Sequence, residues 1–168
     1  TAITNLDASP IVRNLSGAGG GGFLREISGF VTVSASMAAG STYALVRLPS
    51  DARVKSIIFE SEAQGAGKFH LGASYSTSST DGTTDANKGD VIDADFFATL
   101  IDCASAVTPP EVINESTTNN LSKRHMPLWE ALGVASDPGG FIDIVATINT
   151  TDVTTGTGRM GISVRYVE

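Results

Sequence analysis

Met126-Pro127-Leu128-Trp129-Glu130-Ala131-Leu132-Gly133, followed by Asp137-Pro138-Gly139-Gly140 and then Phe141-Ile142-Asp143-Ile144-Val145-Ala146-Thr147-Ile148, reads as a helix, a turn and a strand. Pro127 suits a first helical turn, where its missing N–H costs little, and Leu128, Trp129 and Leu132 fall at spacings that share one helical face. Asp137-Pro138-Gly139-Gly140 forces a reversal, because proline fixes φ and two glycines permit positive φ. Phe141 to Ile148 is rich in apolar and β-branched residues, as a largely buried strand should be. The unit brings the single tryptophan toward a core and holds no obvious chemistry.

Working outward, the chain reads as strands separated by turns. Phe30–Ser36 alternates weakly, Tyr43–Leu48 follows Gly40-Ser41, Arg53–Glu60 follows Pro49-Ser50-Asp51, and Lys68–Tyr75 precedes a polar stretch from Ser76 to Asn87. The closing strand is the clearest. Met160, Ile162, Val164 and Tyr166 share one face, and Arg159, Ser163 and Arg165 share the other. A second helix is expected to start near Asp93, with Asp93 or Asp95 as its N-cap, and to run through Phe96, Phe97, Leu100 and Ile101. Thr108 to Leu121, with two prolines, reads as a surface excursion.

Residues 1–29 do not form a self-contained element. Ile3, Leu6, Ile11, Val12 and Leu15 are scattered without a sustained period, and Gly17 to Gly22 is a flexible tract. They are read as an extended N-terminal arm held on its own domain or on a neighbouring subunit, ahead of a single β domain over residues 30–168.

Composition bounds the function. A chain of 168 residues favours one domain with a real core. No apolar run approaches the ~20 residues of a membrane span, so a soluble protein is expected. With 18 acidic against 11 basic residues the net charge is −7, which disfavours nucleic acid as a partner. Lys123-Arg124-His125 is the one basic cluster and reads as a solvated loop, with a docking contact as the lesser alternative. The single cysteine, Cys103, excludes an intramolecular disulfide and reads as a small buried residue. The first residues lack the basic and apolar regions of a secretory signal.

No motif gathers a catalytic set, so no enzyme and no cofactor are expected. Gly65-Ala66-Gly67-Lys68 continues into Phe69, without the hydroxyl of a phosphate loop. His70 and His125 sit in separate segments without metal-ligand spacing. Asp81 to Asp90 gathers oxygen ligands but lacks the spacing of a calcium loop, and a plain turn is expected. Asp93 and Asp95 could be imagined as an acid–base pair, with helix capping the stronger reading. Trp129, Tyr43, Tyr75 or Tyr166 could stack on sugar rings, although core packing accounts for them better.

The string Val91-Ile92-Asp93-Ala94-Asp95-Phe96-Phe97-Ala98, with Met126 to Gly133 and Asp137 to Ile144, resembles a family of small virion structural proteins of tailed bacteriophages, of the capsid cement or head decoration type. The resemblance runs over about residues 43 to 167 and closes on Gly158 to Val167. It implies a mainly β fold, an antiparallel β-sandwich of jelly-roll type with two short helices and the extended arm. It implies also a place on the virion surface after synthesis in the host cytoplasm. The implied partners are the major capsid protein and further copies of the chain, as a dimer or trimer, without nucleic acid or membrane. Under that reading Ile3, Leu6, Ile11, Val12 and Leu15 would dock, with Phe23 and Leu24 anchoring the arm to the body. The rival reading is a glycan- or receptor-binding module of a tail or fibre, which should carry exposed aromatics on loops.

Overall fold

The structure, a computed structural model, describes residues 23–34, 37–65, 67–76, 87–107, 111–113, 119–120, 123–149 and 157–168. Seven strands carry the fold: β1 (Leu24–Val33), β2 (Thr42–Pro49), β3 (Arg53–Ser61), β4 (Lys68–Tyr75), β5 (Val91–Asp102), β6 (Phe141–Ile148) and β7 (Gly158–Val167). They form two antiparallel sheets, one ordered β1-β7-β3 and one ordered β2-β6-β4-β5. The protein is therefore mainly β. On the outer side of β3 lie Val107, Glu111 and Val112, through antiparallel bridges Ser61↔Val107 and Ile58↔Glu111 and the bond from Val112 N to Ile57 O at 2.9 Å.

The inward faces of both sheets share one apolar cluster. Met160, Ile162, Val164 and Tyr166 of β7 are buried as the alternation predicts, beside Ile57 and Phe59 of β3. The other sheet contributes Leu48, Phe69, Leu71, Ile142, Ile144 and Ile148. Strand β6 is closed on both faces, so its outward Asp143 is only 4% exposed. A buried carboxylate needs a partner, and Arg47, opposite it on β2, supplies one through Nε to Oδ1 at 2.6 Å and Nη2 to Oδ2 at 3.0 Å.

The helix expected from Asp93 is strand β5. Its apolar residues depart from strict strand alternation, because twelve residues of β5 face only seven of β4, Lys68 to Ser74. Three register shifts absorb the excess, and each bulge flips the side-chain phase. Phe96, Phe97 and Ala98 are buried in succession while Thr99 and Leu100 face out, which imitates a helical period. Leu100 takes φ 54°, a left-handed conformation that a non-glycine residue adopts at such a bulge.

Helix α1 (Leu128–Ala131) is a single turn, with Pro127 at its N-cap rather than inside it. A 3-10 turn, Lys123–His125, precedes it. Leu128 and Ala131 are buried, and Trp129 packs half-buried against the core edge. The reversal before β6 forms as read: Gly139 and Gly140 take φ 68° and 72°, and Asp137 Oδ1 accepts from Gly139 N at 2.8 Å and Ser50 Oγ at 2.7 Å. Strand β1 begins at Leu24, so residues 24–29, read as arm, are part of a sheet.

Candidate functional site

The outward face of the β1-β7-β3 sheet is built by the period of β1. Ile27, Gly29, Val31 and Val33 turn toward the body, whereas Leu24, Glu26, Ser28, Phe30 and Thr32 are exposed. Phe30 is 72% exposed, Leu24 65% and Phe23, just before the strand, 79%; these are the most exposed large apolar side chains among the described residues. Among those residues β1 is also the end strand of its sheet, hydrogen-bonded to β7 alone. An end strand with apolar side chains is a surface that soluble proteins usually blunt with charge or cover.

The cross-strand rows give this face its chemistry. Toward the C-terminal end of β7, Arg165 Nε donates to Glu26 Oε2 at 2.8 Å, Ser163 Oγ to Glu26 Oε1 at 3.0 Å, and Ser28 Oγ to Ser163 Oγ at 3.0 Å. The bond from Arg165, with help from Ser163, holds the Glu26 carboxyl below the usual carboxylate range. Arg25 closes the row end by pairing with Glu168 at 2.8 Å. In the middle, Phe30 and Glu60 flank Gly161, each as its register partner. With strands about 4.8 Å apart, the backbones of Phe30 and Glu60 stand roughly 10 Å from each other across a floor without a side chain. The floor has to stay bare: a Cβ on Gly161 would come within 2.9 Å of Gly29 O and 3.2 Å of Phe30 Cβ.

Two open grooves flank this row. One, of about 550 Å³, extends toward Ser28 and Ser163. The other, of about 450 Å³, extends past Glu62 and Arg159 to Ala106 and Val107. At that end Arg159 N donates to Glu62 Oε2 at 2.8 Å.

The residues singled out from sequence fall as follows. Ile3, Leu6, Ile11, Val12 and Leu15 lie outside the described residues. Phe23 and Leu24 do not bury their side chains in the body; the backbone ladder that starts at Leu24↔Val167 joins this end of the chain to the sheet. Phe30, read as the first residue of a weakly alternating strand, points outward. Its signal was available, since Phe30 is in phase with Glu26 and Ser28 once the strand is started at Leu24.

The other candidates lie apart from this face. Asp93 and Asp95 sit together on β5, where Asp95 N donates to Asp93 Oδ1 at 3.2 Å, so they cap no helix. Burial pushes the Asp93 carboxyl up, opposed by the hydrogen bond from Asp95 N and reinforced by the Asp95 side chain. His70 on β4 reaches Asn149 Oδ1 at 3.4 Å through Nε2, and His125 is exposed in the 3-10 turn. Cys103 is fully buried, and that burial pushes its thiol to about 11. Tyr43, Tyr75 and Trp129 are half-buried and Tyr166 buried, which suits packing better than a sugar platform. Residues 81–86 of the suggested calcium loop lie outside the described residues.

No protein-family model matches the chain, and no curated protein matches it. Among solved structures it is similar to a chain of the cyanophage Pam1 capsid asymmetric unit, at 14% identity over 90% of this chain and 89% of that one, with a TM-score of 0.49. A likeness of that size carries no argument about what this chain does.

Proposed function

We propose that the chain is a non-enzymatic structural protein of a tailed-bacteriophage virion, a cement or decoration protein that binds the outside of the major capsid shell and stabilises it. The observation that carries the reading is the apolar ridge Phe23, Leu24 and Phe30, which stands exposed on an end strand directly continuous with residues 1–22. Such a ridge is costly to leave in water. Burying a large apolar side chain contributes about 1.5–3 kcal/mol, part of which is offset by ordering the partners.

The strand orders support the fold half of the proposal. Sheets ordered β1-β7-β3 and β2-β6-β4-β5, with Val107 and Glu111 bridged to β3, support a jelly roll in which those bridges stand in the place of an eighth strand. Jelly rolls serve capsid and lectin domains alike, so the fold does not choose between shell and glycan. The position of the aromatic favours the shell. A lectin-like module should present aromatics on its loops, whereas Phe30 lies mid-strand on a sheet face suited to a protein surface.

The mechanism is mechanical. The β1-β7-β3 face would lie on the shell, residues 1–22 would reach neighbouring subunits with Ile3, Leu6, Ile11, Val12 and Leu15, and dimers or trimers would repeat the contact at symmetry-related sites. Arm and body would reinforce each other, because a linked second contact binds at raised effective concentration.

Reconstitution tests the reading. Purified protein is added to shells stripped of it, and bound copies are counted by densitometry after sedimentation. Leu24→Ser with Phe30→Ser should keep the native circular dichroism spectrum and bind at least tenfold more weakly, and removal of residues 1–22 should also reduce occupancy. Unchanged occupancy in both variants would reject it.

A further inference from the structure

We propose that the trough between Phe30 and Glu60 seats an arginine or lysine side chain carried by a basic segment of the partner protein. The inference rests on the docking reading for the kind of partner, and goes beyond it by naming the chemistry of one contact.

Charge pairing on this face argues for it. Glu26 is held by Arg165, and Glu62 accepts the Arg159 backbone N–H. Across β3, Glu111 lies 3.9 Å from the Arg124 guanidinium. Glu60 alone of these carboxylates is exposed without a hydrogen bond or ion pair among the described residues. It faces an aromatic ring across bare backbone. A long cationic side chain fits that pairing. Its methylenes would lie on the Gly161 floor against Phe30, its head would meet the Glu60 carboxylate, and the ring face would add a cation–π contact.

The groove lining itself is acidic. Glu60 and Glu62 line the groove against one guanidinium, that of Arg159, which leaves it net acidic on a chain of net charge −7. The acidic excess is confined to the trough, where it would hold a basic side chain by short-range pairing. Gly161 follows from the same argument, since any side chain there would fill the seat.

The test uses the full-length protein, labelled with nitrogen-15, and two blocked heptapeptides, Gly-Gly-Leu-Arg-Leu-Gly-Gly and its counterpart with Gln for Arg. Titration of the arginine peptide should move the amide signals of Phe30, Gly161 and Ser163. The glutamine peptide should bind at least fivefold more weakly, as should the arginine peptide to Glu60→Gln or Phe30→Ala, and raising sodium chloride from 50 to 500 mM should weaken the interaction. Both substituted residues are exposed, so folding is checked by the unchanged remainder of the spectrum. Equal binding of the two peptides, shifts confined to another face, or an oligosaccharide that moves these amides where the arginine peptide does not, would overturn the proposal. The docking reading is separable: if wild-type protein decorates shells and Phe30→Ser does not, while Glu60→Gln binds as wild type, the cation seat falls and the docking face stands.

Discussion

Gly72→Ala should destabilise the protein far more than a glycine-to-alanine change in a strand usually does. Gly72 lies on β4, and a Cβ built there would come within 2.1 Å of Asp93 O, 2.3 Å of Ala94 C and 2.4 Å of Ala94 O. Ordinary contact starts at 3.4 Å, so the β5 backbone would have to retreat by about 1 Å. Overpacking a core costs about 1–3 kcal/mol. Here the obstructing atoms are backbone, and their retreat strains the β4–β5 ladder, where each lost hydrogen bond adds about 1 kcal/mol. The expected loss is about 3–5 kcal/mol, a fall in Tm of roughly 10 °C or more for a domain of this size. Gly133→Ala is the control. Gly133 has φ 79° with nothing within 4 Å of the added carbon, so its cost is conformational, about 1 kcal/mol and roughly 3 °C. Urea unfolding followed by circular dichroism measures both variants. If Gly72→Ala lies within 1 kcal/mol of wild type, β5 does not cross Gly72 as described and the bulged-strand account of residues 91–102 fails.

Three further predictions concern the ionisable groups. Burial raises the Asp93 carboxyl in the folded state, so the folded protein binds more protons than the unfolded chain between the ordinary carboxylate pKa and the raised one. Stability therefore declines as pH rises through that window, and Asp93→Asn, which keeps the acceptor for Asp95 N, should raise Tm at pH 7 and lose its advantage on acidification; an equal Tm at both ends would contradict this. Cys103, with its thiol at about 11 and no exposed surface, should resist Ellman's reagent at pH 8 until urea unfolds the chain, and fast labelling of native protein would contradict its placement. Asp143→Ala leaves Arg47 without its buried partner and should cost about 2 kcal/mol in urea unfolding, reduced from the fully buried case because the Arg47 side chain is 40% exposed; a change below 0.5 kcal/mol would place the pair among neutral surface contacts.

What the sequence makes legible follows the regularity of each strand. Lys68–Tyr75, Phe141–Ile148 and Gly158–Val167 are bounded by turn residues and each pairs with one neighbour without a register shift, β4 with β6 and β7 with β1, so their bounds are readable from the residues. Strand β5 is not. Its bulges put Phe96, Phe97, Leu100 and Ile101 at helical spacing, and no local pattern separates that from a helix. Strand β1 was obscured by Arg25 and Glu26, which look like linker residues, and by Gly29 beside an apolar Phe30. The candidate face depends on that phase, so starting the strand at Phe30 turns its exposed aromatic into a core residue. Leu128 to Leu132 carry a helical pattern, yet only one turn forms, closed by Gly133 at positive φ.

The central claim is a position on a shell, and a cryo-electron microscopic reconstruction of the intact particle tests it most directly. The account predicts icosahedrally ordered density on the outside of the capsid that fits the two sheets, with Phe30 and the outer face of β1-β7-β3 turned toward the shell. Density at the tail tip, or on the shell with that face turned to solvent, would contradict it.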